Sequence, residues 1–316
     1  MRLRLAGESL GSCAGCEMAL LNLGEGLLDL LPRLEFVHLP LLLDHKYCGP
    51  DGAGDPRCLD IPEAEVGLIS GHIRNTEHLE LAQTMRARCR VLIALGTCAT
   101  HGGIPALANQ FSEADILERY YRSGETTDPA PDPDDPALPG LLPRALALDE
   151  KVKVDLSLPG CPPHPEQIAE AILALLEDRP PLLPSKSVCD TCPTRREGKG
   201  AVGQVRRFLQ NAHYEAGQPI GEMRCLLEQG FLCLGPVTRA GCAGAHGEVP
   251  RCLLARTPCR GCYGPVRAAG NPMLDLLNAL ASNGLDIKSL PDRPGLLRFA
   301  GAHGRLMHPS RRAAIR

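Results

Sequence analysis

Cysteine density between Cys189 and Cys262 constrains this chain more than any other feature. Eight of the fifteen cysteines lie in that stretch. It opens with a Cys-x-x-Cys pair at Cys189 and Cys192 and closes with another at Cys259 and Cys262. Four thiolates complete one iron–sulfur cluster or one structural zinc site. The stretch is therefore predicted to hold metal, in two sets of four thiols.

The cysteines favour metal binding over disulfide bonding. Their number is odd, the chain of 316 residues is long for a disulfide-stabilised scaffold, and the first residues carry no apolar leader. No apolar run reaches the roughly 18–20 residues that cross a bilayer. Aromatic residues make up 3% and the net charge is −3, which disfavours nucleic-acid binding. We expect a cytoplasmic protein with no membrane span and no nucleic-acid partner.

Strand and helix patterns alternate from residue 2 to about 178. Apolar and alternating runs predict strands at 2–6, 34–39, 66–71, 91–96 and 152–158. Helical spacing predicts helices at 17–31, 75–88 and 165–176. This alternation predicts an α/β fold with a flavodoxin-like, doubly wound parallel sheet. Residues 124–143, rich in proline and acidic residues, are expected to form an exposed linker or insertion.

The pattern changes after the prolines between Pro180 and Pro184. Periodicity fades, cysteine density rises, and only residues 271–283 are clearly helical. We therefore predict a flavodoxin-like domain over 1–182 and an irregular, cysteine-rich iron–sulfur cluster domain over 183–316.

Four further cysteines follow predicted strands directly. Cys13 and Cys16 follow the first strand, Cys98 the fourth and Cys161 the fifth. The carboxyl ends of parallel strands meet at one edge of a sheet, so these thiols are expected to converge there. Glycines beside them leave room for a bulky inorganic group. Buried structural cysteines, or a thioredoxin-like redox pair at Cys13 and Cys16, are the alternatives.

The tail cysteines divide by sequence order into two sets. The first set is Cys189, Cys192, Cys225 and Cys233, and the second is Cys242, Cys252, Cys259 and Cys262. Neighbouring clusters in ferredoxins exchange ligands, so this partition stays open. Two structural zinc sites are the alternative to two clusters.

Several motifs together resemble one family. They are Gly11–Glu17, Gly96–Ala99, Pro159–Pro163, Cys225–Pro236, Thr238–Cys242 and Pro258–Pro265. In these motifs the chain resembles the small subunit of nickel–iron hydrogenases. It is most similar to the cytoplasmic, viologen-reducing group that works with heterodisulfide reductase. The resemblance covers most of residues 1–266.

The resemblance implies three 4Fe–4S clusters in a line. The proximal cluster would be held by Cys13, Cys16, Cys98 and Cys161. The medial cluster would be held by Cys242, Cys252, Cys259 and Cys262. The distal cluster would be held by Cys189, Cys192, Cys225 and Cys233. The chain departs from the family pattern between Ala243 and Arg251, which leaves His246 as a substitute ligand. Cys48, Cys58 and Cys89 are not assigned to any cluster.

The resemblance also implies a function and partners. The chain would relay electrons from dihydrogen oxidation at a partner large subunit, which carries the nickel–iron site, to an acceptor. That acceptor would be an iron–sulfur or flavoprotein subunit, of the heterodisulfide reductase kind. Glu17 is a candidate proton relay, the alternative being a carboxylate stabilised by the helix dipole. The rival functions are an iron–sulfur subunit of a complex I-like quinone or ferredoxin oxidoreductase, and a zinc-stabilised structural subunit.

Overall fold

The protein is described by a computed structural model that covers residues 2–47, 59–198, 205–206, 212–244, 249–267, 270–290 and 292–309. Cys48, Cys58 and His246 lie outside the described residues, so the role of His246 as a substitute ligand stays a prediction. No helix in the described ranges is long and apolar enough to cross a membrane.

The chain groups into two compact units. Met1–Pro159 and Ala300–Arg316 form one, which we call the sheet unit, and Gly160–Phe299 form the other, which we call the cysteine unit. The predicted domains, 1–182 and 183–316, stay predictions, because grouping by contacts does not show which segments fold on their own.

A five-stranded parallel sheet lies at the centre of the sheet unit. Its strands are β1 (Leu3–Ser9), β2 (Leu34–His38), β3 (Ala64–Ser70), β5 (Cys89–Leu95) and β7 (Leu156–Leu158). Their order across the sheet is β2-β1-β3-β5-β7, and each neighbouring pair is parallel. Numbered among the parallel strands alone, this order is 2-1-3-4-5, the flavodoxin-like arrangement. The predicted fold class is confirmed.

A second, antiparallel pair is formed by β4 (Ile73–Asn75) and β6 (Leu141–Leu146). The exposed linker or insertion predicted over 124–143 therefore runs at its end into β6, whose first residue Leu141 pairs with Asn75 of β4. The predicted last strand is shorter than expected, because only Leu156–Leu158 pair with β5.

Helices of the sheet unit are short except for one. They are α1 (Gly15–Leu21), α2 (Glu25–Leu30), α3 (Thr76–Arg88), α4 (Gly96–His101) and α5 (Glu113–Leu117). The single helix predicted over 17–31 is divided into α1 and α2, because Gly24 takes a φ of 58° that a helix cannot continue through. Asn75 caps α3 as predicted, since its side chain accepts the N–H of His78 at 2.7 Å.

The apolar core of the sheet unit is built from strands and α3. Ile69, Ile73, Met85 and Leu92 are each 0% exposed. Burying side chains of this size stabilises a fold by about 1.5–3 kcal/mol each. Cys89 is the one described cysteine of this cluster, and the predicted ligand Cys16 is buried but is not a member of it.

The cysteine unit contains four α-helices in its described residues. They are α6 (Pro165–Leu176), α7 (Val188–Thr191), α8 (Arg251–Leu254) and α9 (Pro272–Ser282). Between α7 and α8, the described residues form the 3₁₀ turns Ile220–Glu222 and Gly235–Val237 and isolated β-bridges. Asn271 caps α9 by accepting two backbone N–H bonds. The predicted irregular character of this region is confirmed.

Candidate metal centres

One cavity of the cysteine unit is lined by five thiols. Its volume is about 190 Å³, and we call it the first cysteine cavity. Its thiols belong to Cys161, Cys242, Cys252, Cys259 and Cys262. The structure thus brings together the four cysteines predicted for the medial cluster and adds Cys161. The rest of the wall is largely apolar, which keeps the local dielectric low.

A second cavity, the second cysteine cavity, is lined by the four cysteines predicted for the distal cluster. They are Cys189, Cys192, Cys225 and Cys233. Cys259 lines this cavity as well as the first, so it forms a shared wall. The volume is about 20 Å³, so the donor set, more than the space, supports a cluster here. Within the described ranges, no three His, Cys, Asp or Glu side chains converge on a single metal ion.

Two backbone N–H groups connect the predicted ligand sets. The N–H of Cys259 donates to Sγ of Cys233 at 3.3 Å. The N–H of Cys161 donates to the thiol of Cys262. Each bond runs from a residue of one predicted set to the sulfur of the next set outward. N–H···S bonds favour the thiolate and tune the reduction potential of a cluster that the thiolate binds.

Burial raises the pKa of several of these thiols. The pKa rises to about 12 for Cys189, Cys233 and Cys262, mainly by desolvation and further by neighbouring thiols. The pKa of Cys259 is shifted in the same direction for the same reasons. A bound metal reverses this effect because it stabilises the thiolate that coordinates it. The buried thiols therefore fit a metal-binding role.

Gly235 shows how closely the backbone approaches the second cysteine cavity. A Cβ at this position would lie 3.1 Å from Sγ of Cys189 and 3.6 Å from Sγ of Cys233. A side chain would therefore press on two predicted ligands at once. The glycine keeps the thiols free to face the cavity.

Cys13 and Cys16 lie in the sheet unit, after β1. The strand order reverses between β1 and β3, the position where doubly wound sheets hold their ligands. Gly11 anchors the loop through backbone bonds in both directions with His72. A Cβ on Gly11 would lie 2.4 Å from the His72 ring, so only glycine fits. Cys13 is exposed and Cys16 is buried.

Cys98 lies in α4, three residues after β5. It is half-buried. Gly103 lies beside it with a φ of 56°, and a Cβ there would lie 2.5 Å from Sγ of Cys98. A glycine is therefore required to hold this thiol in place. Cys161 belongs to the cysteine unit, so its predicted grouping with Cys13, Cys16 and Cys98 stays a prediction.

Glu17 is buried in the first turn of α1. It is 6% exposed, and its Oε1 accepts a short hydrogen bond from the hydroxyl of Ser70. Ser70 Oγ lies 3.3 Å from Ser9 Oγ and 3.4 Å from Ser12 Oγ. The second oxygen of Glu17 is buried without a hydrogen-bond partner among the described residues. The arrangement is a buried carboxyl group at the start of a chain of hydroxyls.

A buried polar group near the ends of β1 and β2 was not predicted. Glu8 accepts hydrogen bonds from His38 Nε2 at 3.0 Å and from the Tyr47 hydroxyl at 2.9 Å. Burial, together with the charge of Glu8, raises the pKa of Tyr47. The only signal in the sequence was a glutamate inside a strand otherwise rich in apolar residues.

His72 is a titratable group that is bonded to the loop of Cys13. Its Nδ1–H donates to the carbonyl of Gly11 at 2.6 Å. Burial lowers the pKa of His72 to about 4, and the bond to Gly11 offsets only part of that effect. The ring is therefore neutral at physiological pH and holds the loop as a hydrogen-bond donor.

Comparisons with known proteins extend over both units. A protein-family model described as NADH ubiquinone oxidoreductase, 20 Kd subunit, matches residues 13–175. A subunit of the vhu F420-non-reducing hydrogenase of Methanocaldococcus jannaschii is 37% identical over 286 residues, 90% of each chain. The iron-sulfur subunit of the F420-non-reducing hydrogenase of Archaeoglobus profundus is 34% identical over 298 residues, 89% of this chain and 88% of its own.

A solved structure agrees with these relatives. A chain in the crystal structure of an NAD+-reducing NiFe-hydrogenase in the H2-reduced state is 32% identical, with a TM-score of 0.51. The match covers 58% of this chain and 96% of that one. The chain is therefore an iron–sulfur subunit of an oxidoreductase whose catalytic site is on the large subunit, and it belongs to the small-subunit family of nickel–iron hydrogenases.

Proposed function

We propose that the chain relays electrons from dihydrogen oxidation at the large subunit to a separate acceptor by holding three 4Fe–4S clusters. When bound, such clusters supply one-electron transfer. The proposed ligands are Cys13, Cys16, Cys98 and Cys161 for the proximal cluster, Cys242, Cys252, Cys259 and Cys262 for the medial cluster, and Cys189, Cys192, Cys225 and Cys233 for the distal cluster.

One observation carries the proposal. Each cavity of the cysteine unit is lined by one of the two tail sets, and Cys259 lines both. Two separate sites that share a wall are what a relay requires, because electron transfer weakens with distance. The N–H bonds from Cys161 to Cys262 and from Cys259 to Cys233 support the same succession of sites.

The residues around the thiols control the polarity and the space of each predicted cluster site. Apolar walls exclude water, and burial of Cys233 and Cys259 makes each N–H···S bond stronger than it would be in water. Gly235 leaves two thiols free to turn toward the cavity. The protein thereby sets the potential of each site by burial and hydrogen bonding.

The acceptor and the location complete the proposal. We propose an iron–sulfur or flavoprotein acceptor of the heterodisulfide reductase kind, in the cytoplasm. A complex I-like role is less well supported. The family model ends at residue 175, before the tail cysteines, whereas the hydrogenase relative from Methanocaldococcus jannaschii covers 90% of the chain.

Metal analysis of the anaerobically purified hydrogenase complex tests this function. We expect about twelve iron and twelve sulfide from this chain, since each of the three 4Fe–4S clusters contains four of each, in addition to the iron of the nickel–iron site on the large subunit. The substitution Cys192→Ala should remove about four of the twelve iron atoms. Cys89→Ala is the matched control, because Cys89 is buried in the sheet core away from the predicted ligand sets. Zinc in place of iron, or equal iron loss in both variants, would refute the proposal.

Glu17 is proposed as a proton relay. Its unpartnered Oε2 and its bond to Ser70 give the carboxyl group one free oxygen and one connected to hydroxyls. A carboxyl group placed in this way can pass a proton along the hydroxyls, whereas an amide cannot.

The Glu17→Gln variant tests that relay. We expect hydrogen–deuterium exchange by the complex to fall at least about tenfold, while iron content is unchanged. Glu25→Gln is the control, because Glu25 is exposed in the neighbouring helix α2. Unchanged exchange in Glu17→Gln would reject the relay and leave Glu17 as a residue that stabilises α1.

A further inference from the structure

A groove lined by arginine lies on the cysteine unit beside the predicted ligands. Its cationic residues are Arg206, Arg260 and Arg298, and its apolar residues include Leu232 and Leu234. Arg260 is exposed, and the other two arginines are partly exposed. The groove therefore presents positive charge around an apolar floor.

Arg260 and Arg298 carry most of the positive charge of the groove. Arg260 forms no ion pair with a described residue, and Nε of Arg298 donates only to the carbonyl of Gly295, at 3.1 Å. The carboxylate of Asp292 accepts the N–H of Gly295 at 3.0 Å and offsets part of the charge. Arg260 and Arg298 against one carboxylate leave an excess of positive charge.

Backbone bonds fix one side of the groove against the distal ligands. The N–H of Arg206 donates to the carbonyl of Gly230 at 2.6 Å, and the N–H of Leu232 donates to the carbonyl of Arg206 at 3.3 Å. Leu232 is adjacent in sequence to Cys233. The arginine is therefore held beside the segment that carries a predicted distal ligand.

The groove also follows the wall between the two cavities. Leu232 and Leu234 flank Cys233, and Arg260 follows Cys259 directly. The N–H of Leu234 donates to the carbonyl of Cys259 at 3.0 Å, which joins the two segments. A molecule bound in the groove would therefore lie one residue away from both thiols.

We infer that this groove is the docking surface for an acidic electron-transfer protein, which approaches the relay beside Cys233 and Cys259. The inference rests on the proposed function. Transient electron-transfer interfaces are small and combine an apolar centre with complementary charge at the rim. The groove has both features, and the positive charge requires carboxylates on the partner.

The charge reversal Arg260→Glu in the complete hydrogenase complex tests the inference. The probe is a purified acidic 2Fe–2S ferredoxin of the plant type, reduced with dihydrogen as electron donor. We expect the second-order rate constant at low ionic strength to fall about tenfold, because reversing one charge changes the local interaction by two charge units. Salt should diminish the difference. Arg260→Lys should retain most of the rate.

Three controls distinguish a loss of docking from misfolding. Arg90→Glu makes the same change of charge at the exposed start of β5, where we expect no effect on the ferredoxin rate. Benzyl viologen, a small cation that needs no protein docking surface, should be reduced at the same rate by every variant. A basic cytochrome c should be reduced faster by Arg260→Glu and Arg298→Glu than by the unmodified complex, which a misfolded variant could not do.

The outcomes distinguish the inference from the function on which it rests. Absence of iron, or no viologen reduction by the unmodified complex, would refute the proposed function. Normal viologen reduction with equal ferredoxin rates in the unmodified complex, Arg260→Glu and Arg90→Glu would overturn the groove alone. A complex that neither reduces nor binds the ferredoxin at low salt would also overturn it.

Discussion

The two units hold their cysteines in opposite ways. In the sheet unit, Cys13 lies in the loop after β1 and Cys98 lies in α4, and the described apolar core cluster includes neither of them. In the cysteine unit, Cys233 and Cys259 are themselves members of an apolar core cluster. The sheet unit should therefore fold without its metal centre, whereas the folding of the cysteine unit should depend on metal binding.

Backbone hydrogen bonding shows the same difference. Strands β1, β3 and β5 pair along most of their length in the sheet unit. Described segments of the cysteine unit are instead joined by isolated bridges, such as the one formed by the 2.8 Å bond from the N–H of Cys225 to the carbonyl of Arg195 and the 2.9 Å bond from the N–H of Arg195 to the carbonyl of Met223. Fewer cooperative bonds make this unit more dependent on other contacts.

Removal of iron under anaerobic conditions should show the largest effect. We expect amide exchange in residues 223–244 and 249–262 to accelerate at least about a hundredfold, because binding free energy there is folding free energy. Amides of β3 and β5 should retain their protection. Hydrogen exchange followed by mass spectrometry measures both regions in one sample. Equal acceleration in the two units would show that the sheet core also depends on metal.

Substitution of a single predicted ligand should lower the free energy of unfolding more in the cysteine unit than in the sheet unit. The effect should be smaller than that of removing all the iron. Cys233→Ala should lower the free energy of unfolding of its unit by about 3 kcal/mol or more, since it removes a buried core side chain and a predicted ligand. Cys13→Ala, at an exposed loop position, should change stability by less than about 0.5 kcal/mol. Denaturant titration with iron analysis checks both.

Each of these two variants should lose about four iron atoms, one 4Fe–4S cluster. Equal iron loss with unequal loss of stability would confirm the contrast between the units. A large loss of stability in Cys13→Ala would contradict it.

The sheet was predictable from sequence because its signals are local. Apolar runs such as the one in β3 indicate buried strands, and the alternation of strands with helices predicts a doubly wound parallel sheet. The division at Gly24 was not predictable, because a glycine inside a helical pattern is usually tolerated. The pairing of β6 with β4 brings together residues more than sixty positions apart, which local patterns do not encode.

The ligand sets were predictable only in part. The order of the tail cysteines predicts two sets whose members line the two cavities, although Cys259 lines both, since short spacings keep thiols together. The position of Cys161 in the first cysteine cavity was missed, because it precedes Cys242 by some eighty residues. Its backbone bond to Cys262 depends on tertiary structure alone.

The segment after Phe299 was also missed. Ala300 pairs with Gly103, and His303 Nε2 lies 2.7 Å from Asp149 Oδ1, so this segment belongs to the sheet unit. Nothing periodic in its sequence indicates a return to residues that lie some 150–200 positions earlier.

Acidification should affect the sheet unit through His72. Its pKa is lowered from 6.5 to about 4 in the folded chain, so the unfolded chain binds more protons between those values. The contribution of this group to the free energy of unfolding is complete above pH 6.5 and is lost as the pH falls toward 4, by about 3 kcal/mol. Denaturant titrations of the unmodified protein and of His72→Gln, each at several pH values, measure this difference in the free energy of unfolding. A parallel pH dependence of the two proteins would contradict it.

Glycine substitutions should give the smallest contrast. Gly235→Ala places a Cβ 3.1 Å from Sγ of Cys189, whose burial leaves it little room to move. We expect a loss of about 1 kcal/mol, or a fall in melting temperature of about 2–4 °C. Gly15→Ala places a Cβ 3.3 Å from Sγ of Cys13, but that side chain is exposed and can rotate away.

Gly15 also lies at the start of α1, where alanine is the better helix former. Gly15→Ala should therefore be neutral or slightly stabilising, and both variants should retain iron. Differential scanning calorimetry of the two variants gives the comparison directly. Similar losses in both would mean that the loop of Cys13 is as tightly constrained as the cysteine unit, and the distinction between an added site and a built-in site would fail at the proximal end.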